Sequence, residues 1–249
     1  MCFHKSLIEK GIDNLADYYS AEYQDLLAEI YAPMYHENGF DFKAQPILTA
    51  GKPNELLMYN WGFIPWWTKT LQSGLQLRVQ TLNCISEEMY DKPSFRDSAK
   101  EGKRCLIPCS GFFEWKWDNP ESKKSDKIPH YIHLQNPLFS IAGLYSEYKD
   151  IMGGGITYYT YTVLTTKANS KMEGIHNTKK RQPVIIPRQY EKDWLNPNLS
   201  KDDVLALCQP IQSNDMVAYT VGKAVGNSKI DTNNPKALVP VDYSPTTLF

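Results

Sequence analysis

The stretch "RCLIPCSGFFEWKW" (104–117) decides how this chain folds. Its apolar and aromatic residues come in two short runs, separated by "PCSG". Runs this short, bounded by turn residues, read as buried strands and not as a helix. Proline lacks the amide proton that a strand ladder needs, and glycine relaxes the backbone. The spacing therefore predicts two strands broken at Pro108 and Gly111. In the second strand Glu114 lies between Phe113 and Trp115, which the strand period of two sends to the opposite face.

The pattern continues outward. Downstream, "HYIHLQ", "LFSIAGLYSEY" and "TYYTYTVLTT" read as three more strands, and "DNPESKKSDKIP" as a charged loop. "GIHNTKKRQPVIIP" is a basic loop entering a strand, and "MVAYTVGKAVG" is a late strand. Upstream, "PILTAG" and "ELLMYNWGFIPWW" are strands around a turn, and "LRVQTLNCIS" alternates as a strand. Helices are predicted over 13–31, where Leu15, Tyr18, Tyr19, Leu26, Leu27 and Ile30 fall at helical spacing, and over "SFRDSAKEGK", "RQYEKDWL" and "KDDVLALC". Many short strands with a few helices imply an α+β fold. We expect a single domain, 1–249, with a mainly antiparallel, barrel-like β core and peripheral helices.

Of the 249 residues, 42% are hydrophobic and 22% charged, which suits a soluble chain with a real core. The formal net charge of −1 gives no general attraction to polyanions, so nucleic-acid binding would need a local patch. No apolar run is long enough to cross a bilayer, and "MCFHKSLIEKG" turns polar at once, unlike a signal peptide. Five cysteines (2, 84, 105, 109, 208) fit no disulfide framework, so reduced thiols and a cytoplasmic location are expected.

Cys2 is the first candidate for chemistry. Removal of Met1 would leave a thiol and an α-amine on adjacent carbons. Their ordinary pKa values, about 8.5 and about 7.7–8, keep part of each nucleophilic near neutrality. Such a pair can condense with an aldehyde, or the thiolate can attack an amide with the amine as base. The competing reading is a buried thiol at a frayed terminus. Glu114 is either on a solvated face or a pocket carboxylate with raised pKa, able to act as acid or base. His176, in a basic loop, is either a surface residue or a proton shuttle near an anionic ligand. Asn83 either orients a ligand or ends a strand. A metal site is not expected: "CLIPC" has no second pair at ligand spacing, and His130 and His133 face opposite sides of a strand. "MGGGIT" reads as a hairpin turn and not as a phosphate loop.

These residues stand in blocks whose order is specific: Met1-Cys2, "WGFIPWW" (61–67), "NCISE" (83–87), "KPSFRDS" (92–98), "RCLIPCSGFFEWK" (104–116), "IAGLY" (141–145), "LTTKAN" (164–169), "GIH" (174–176), "RQPVII" (181–186) and "VGNSKIDTNNPKAL" (225–238). Over nearly its whole length the chain resembles the SOS-response-associated peptidase (SRAP) family, the abasic-site processing proteins. The resemblance implies binding of single-stranded DNA at abasic sites. It also implies a thiazolidine crosslink between Cys2, after Met1 removal, and the ring-opened deoxyribose. Asn83, Glu114 and His176 match the family's active-site positions. Asn83 would position the Cys2 backbone or the sugar. Glu114 would move protons at the α-amine, and His176 would protonate the ring oxygen to open the sugar and later assist reversal.

The chain departs from the family pattern in three places. Phe3-His4 stands where the family has Gly-Arg, Cys84-Ile85 where it has Ala-Arg, and "IHNTKKRQP" is three residues longer than the family's "IHDRMP". His4, Lys179, Lys180 and Arg181 are therefore the candidate DNA contacts, with Trp66, Trp67 and Trp115 as stacking platforms; core packing is the alternative for each tryptophan. No cofactor is implied, and a monomer is expected. The family name also implies peptidase chemistry, including removal of Met1 by the protein itself, or lyase chemistry. An N-terminal-cysteine amidohydrolase and a non-catalytic single-strand binding module are the competing functions.

Overall fold

The hydrophobic pattern around residues 104–117 does become sheet. The computed structural model describes residues 2–243, so Met1, and with it the expectation of its removal, lies outside the described residues. Its strands are β1 (His4–Leu7), β2 (Met34–Asn38), β3 (Ala44–Thr49), β4 (Lys52–Trp61), β5 (Asn83–Ile85), β6 (Arg104–Cys109), β7 (Gly111–Trp117), β8 (Lys127–Leu134), β9 (Phe139–Asp150), β10 (Ile156–Lys167), β11 (Arg181–Pro183), β12 (Ile185–Ile186) and β13 (Met216–Thr220). The helices are α1 (Ile12–Tyr19), α2 (Asp25–Ile30), α3 (Leu71–Leu77), α4 (Arg96–Lys100), α5 (Ser170–Ile175), α6 (Glu191–Trp194) and α7 (Lys201–Leu207).

Strands β10, β4, β3, β6 and β9 pair in that order, and β9 pairs back to β10, which closes a five-stranded barrel. An open sheet runs β13-β8-β7-β1-β2. All pairings are antiparallel except β10 with β4 and β5. The α+β class with a mainly antiparallel, barrel-like core is thus as the sequence predicts. The stretch 104–117 joins the two sheets. β6 is buried at every residue because β3 and β9 flank it. Phe112 and Ile132 of the open sheet share one core with Ile107, Ile141 and Val163 of the barrel, and Cys2 lies in that core.

Three expectations need correction. Pro108 does not break β6, which runs to Cys109; the break is Ser110, whose amide donates to Ser6 O at 2.8 Å. Pro108 is tolerated because the β3–β6 ladder has already ended at Leu48↔Leu106. Continued by two residues, that register would face Pro46 with Pro108, and neither has an amide proton. The helix expected over 13–31 is two helices. Ser20 takes a left-handed conformation (φ 51°) at the end of α1, and Glu22 instead bonds as a strand to Asn54 and Leu56. Leu26 and Ile30 are exposed as a result. Of "LRVQTLNCIS" only Asn83–Ile85 is strand, because Arg78 turns back to donate to the Phe42 and Trp61 carbonyls and Thr81 to Phe63 O.

Strand β1 is held from both sides, by β2 and β7. Across β1 and β2, Lys5 and Glu37 form a fully buried ion pair at 2.5 Å. Burial pushes the Glu37 pKa up, and Lys5 pulls it back. Lys5→Met should cost about 3–5 kcal/mol by stranding a buried carboxylate, and adding Glu37→Leu should recover most of that loss. Urea denaturation of both variants checks this; equal losses would contradict it.

Candidate active site

Glu114 lies in β7, three residues beyond the sheet-joining Gly111, and is 4% exposed. Its neighbour Phe113 packs on the other side of the sheet against His36 and Tyr131. Burial raises the Glu114 pKa to about 7, although the Trp115 N–H bonded to it favours the charged form. A carboxyl titrating there is divided between acid and base at neutral pH.

His176 caps the C-terminus of α5 and is 6% exposed. Its Nδ1 lies 2.8 Å from Arg181 O. A carbonyl only accepts, so Nδ1 carries the proton and Nε2 the lone pair. Burial lowers the His176 pKa to about 4, so the ring is neutral at neutral pH. The same Nδ1 stands 3.9 Å from Glu114 Oε1. That is contact distance without a hydrogen bond, because the proton is already given to Arg181.

Cys2 is fully buried, with Sγ 3.6 Å from His4 O. Burial first, then the Glu114 and Cys109 charges, push its thiol pKa well up. The Glu114 effect places the thiol within electrostatic reach of the carboxylate. Asn83 enters from β5, which pairs with the same end of β10 that β11 and the His176 loop adjoin. Its side chain is 8% exposed, and neither its amide oxygen nor its amide nitrogen has a hydrogen-bond partner among the described residues. Buried amides are rarely left so.

The candidate DNA contacts are differently placed. Trp66 and Trp67 are exposed, with indole N–H groups donating at 3.0 Å to Asp97 Oδ2 and Pro93 O. Trp115 packs against the Phe113–Tyr131–Val225 core and stands edge-on to His4. Lys179 and Lys180 are exposed. Arg181 is not a free cation: its guanidinium forms a two-pronged pair with Glu87 at 2.8 and 2.7 Å. His4 is not one either. Burial and His36 lower its pKa to about 3, and its Nδ1 lies 2.9 Å from His36 Nε2, while His36 Nδ1 lies 2.6 Å from Thr232 Oγ1. Sequence reasoning missed this chain of contacts and the Lys5–Glu37 pair. In the sequence each is an ordinary polar residue, and only the fold shows its partner.

Residues 1–228 match the family model described as SOS response associated peptidase (SRAP). The chain is 38% identical over 209 residues to "Abasic site processing protein YoqW" of Bacillus subtilis, covering 82% of this chain and 86% of that one. It is 29% identical to "Abasic site processing protein HMCES" of Xenopus tropicalis, covering 75% of this chain and 57% of that one. A crystal structure of a protein from Bacteroides thetaiotaomicron superposes with a TM-score of 0.86 at 34% identity, over 96% of this chain and 100% of that one.

The buried carboxyl should be visible in stability. The unfolded chain releases the Glu114 proton near the ordinary value of 4.5, the folded chain only near 7. Relative to Glu114→Gln, the wild type should therefore lose stability as pH rises across that window, by on the order of 3 kcal/mol. His176, His4 and His36, all lowered by burial, give the opposite slope, their stability being lost as pH falls below 6.5. The difference between the two proteins isolates Glu114. Denaturant midpoints from about pH 4 to 8 measure it; parallel curves would contradict the assignment.

Proposed function

The chain belongs to the SOS response associated peptidase (SRAP) family, and from that premise we propose that it binds single-stranded DNA at abasic sites and crosslinks them through Cys2. The observation that carries this reading is the convergence of a thiol at position 2 with a carboxyl titrating near 7 and a neutral imidazole 3.9 Å from it. The printed names of the relatives supply the substrate class.

The chemistry starts after Met1 is removed. An abasic deoxyribose is mostly a cyclic hemiacetal. Neutral His176 takes the anomeric hydroxyl proton at Nε2 and returns it to the ring oxygen, so that the C1′–O4′ bond breaks and the C1′ aldehyde forms. A shuttle of this kind needs an imidazole that starts neutral, which agrees with its lowered pKa. The Cys2 amine adds to the aldehyde and loses water to give an imine, with Glu114 accepting and returning protons at nitrogen. The Cys2 sulfur then adds to the imine carbon while the nitrogen gains the proton that the thiol gives up. The sum is aminothiol plus aldehyde giving thiazolidine plus water. The unpartnered Asn83 amide would hold the sugar or the Cys2 backbone through this sequence. Exposed Trp66 and Trp67 would stack bases, each worth about 1–3 kcal/mol. With His4 neutral and Arg181 paired to Glu87, Lys179 and Lys180 carry more of the phosphate contact.

A denaturing gel of the protein incubated with single-stranded DNA carrying one abasic site tests the reading. A shifted band supports it. Amide hydrolysis without a shift would favour the peptidase, and salt-sensitive binding alone would favour the non-catalytic module. Glu114→Gln should slow band formation by roughly 10²-fold or more with DNA binding retained. Cys2→Ser keeps the amine, so it should give a borohydride-trapped adduct but little heat-stable crosslink. Rates within about threefold of wild type for Glu114→Gln would remove its assigned role.

A further inference from the structure

Strand β7 presents an edge that β1 covers only in part. The β1–β7 register sets His4 opposite Phe113 and Lys5 opposite Phe112. Carried two residues further, it would put Cys2 opposite Trp115. Trp117, the last residue of β7, is the next position on that edge whose backbone points away from β8, and no strand reaches it. There the Asn177 side chain takes the place of a strand. Its Oδ1 accepts the Trp117 N–H at 3.0 Å, and its Nδ2 donates to Trp117 O at 2.7 Å. One amide side chain thus satisfies both backbone groups of an edge residue.

Asn177 directly follows His176, and its other neighbours fix the rest of the loop. Asn169 caps the start of α5 by accepting from the Met172 N–H and donates to Ile211 O, so the helix is tied down at its first turn. His176 N–H donates to Met172 O, Lys180 N–H donates to His176 O, and Ala168 N–H donates to Lys180 O. Lys180 takes a positive φ of 49° to make that closure, which the long "NTKK" segment permits. None of these bonds reaches β7. The Asn177 bonds do reach it, and they tie this loop to the backbone of the strand that carries Glu114.

We infer that Asn177 is a positioning residue: by bonding both backbone groups of Trp117 it holds the His176 ring against Glu114 on β7. The inference rests on the reading of His176 and Glu114 as the proton-moving pair. An amide suits the role because it offers an acceptor and a donor side by side, matched to the N–H and C=O of one edge residue, whereas a carboxylate keeps only the acceptor. Misplacement of a proton-transfer group by about 1 Å is enough to slow a reaction by roughly 10²-fold.

The test reads geometry and rate separately. In Asn177→Ala, hydrogen exchange at the Trp117 amide should lose its protection. The His176 titration, followed by NMR, should rise from about 4 toward the ordinary 6.5 as the ring leaves its buried position. Crosslinking of an abasic single strand should fall by roughly ten- to a hundredfold with strand binding unchanged. Asn177→Asp keeps the acceptor for the Trp117 N–H, so its amide protection and its rate should fall between those of Ala and wild type. It also serves if the Ala variant does not fold. Wild-type rates and an unmoved His176 titration in Asn177→Ala would overturn the inference. If the wild-type protein forms no crosslink, the functional reading fails instead, and the Trp117 exchange and the His176 titration still decide whether Asn177 holds the ring.

Discussion

The pairing of β1 between β2 and β7 is the constraint on which the site depends. Three residues separate the ladder partners of β1 from the start of the chain, and a segment that close to a terminus usually frays. Here it is an interior strand of a sheet, hydrogen-bonded on both edges. The buried Lys5–Glu37 pair forbids a slip in register, because moving either charge by one residue would strand the other in the core. Cys2 is therefore held in the shared core of barrel and sheet. Since β7 is the neighbour of β1, fixing that register also fixes Cys2, the proposed nucleophile, relative to Glu114.

Burial then shifts Glu114 and His176, the two groups proposed to move protons, in opposite senses. It raises Glu114 to about 7 and lowers His176 to about 4, because desolvation disfavours whichever form carries charge. Near neutrality neither group is locked in its charged form, which suits a pair that must each take up and give back a proton. The Arg181 carbonyl chooses the imidazole tautomer and Glu87 holds Arg181, so a residue read from sequence as a phosphate contact serves first to orient the ring. In the same way His4 is engaged with His36 and Thr232. Two of the candidate DNA contacts, His4 and Arg181, are thus engaged with other side chains, whereas Trp66, Trp67, Lys179 and Lys180 are exposed.

The fold class was legible because it follows from local rules. Short apolar runs with turn residues between them favour strands, and β6 to β10 lie close to where the pattern puts them. The errors arose where a distant partner outweighed the local pattern. Tyr18 to Ile30 has helical spacing, yet Glu22 finds Asn54 and Leu56 and splits the helix. Pro108 looks like a breaker, yet no neighbour asks for its missing proton. At the site, Cys2, Asn83, Glu114 and His176 were legible as chemistry-bearing types in ordered blocks. Their environments were not, because burial, tautomer and partner are properties of the packed chain. Asn177 and Lys5 gave no signal at all, since a single amide or lysine acquires its meaning only from the backbone or charge opposite it.

The most direct measurement is a mass spectrum of the protease-digested crosslink between the mature protein and abasic single-stranded DNA. The account predicts a peptide that begins at Cys2, with the mass of peptide plus oligonucleotide less one water. Its mass should be unchanged by borohydride, and it should have no alkylatable thiol at Cys2. A crosslink carried by a lysine, or one at the amino terminus with the Cys2 thiol still open to alkylation, would contradict it.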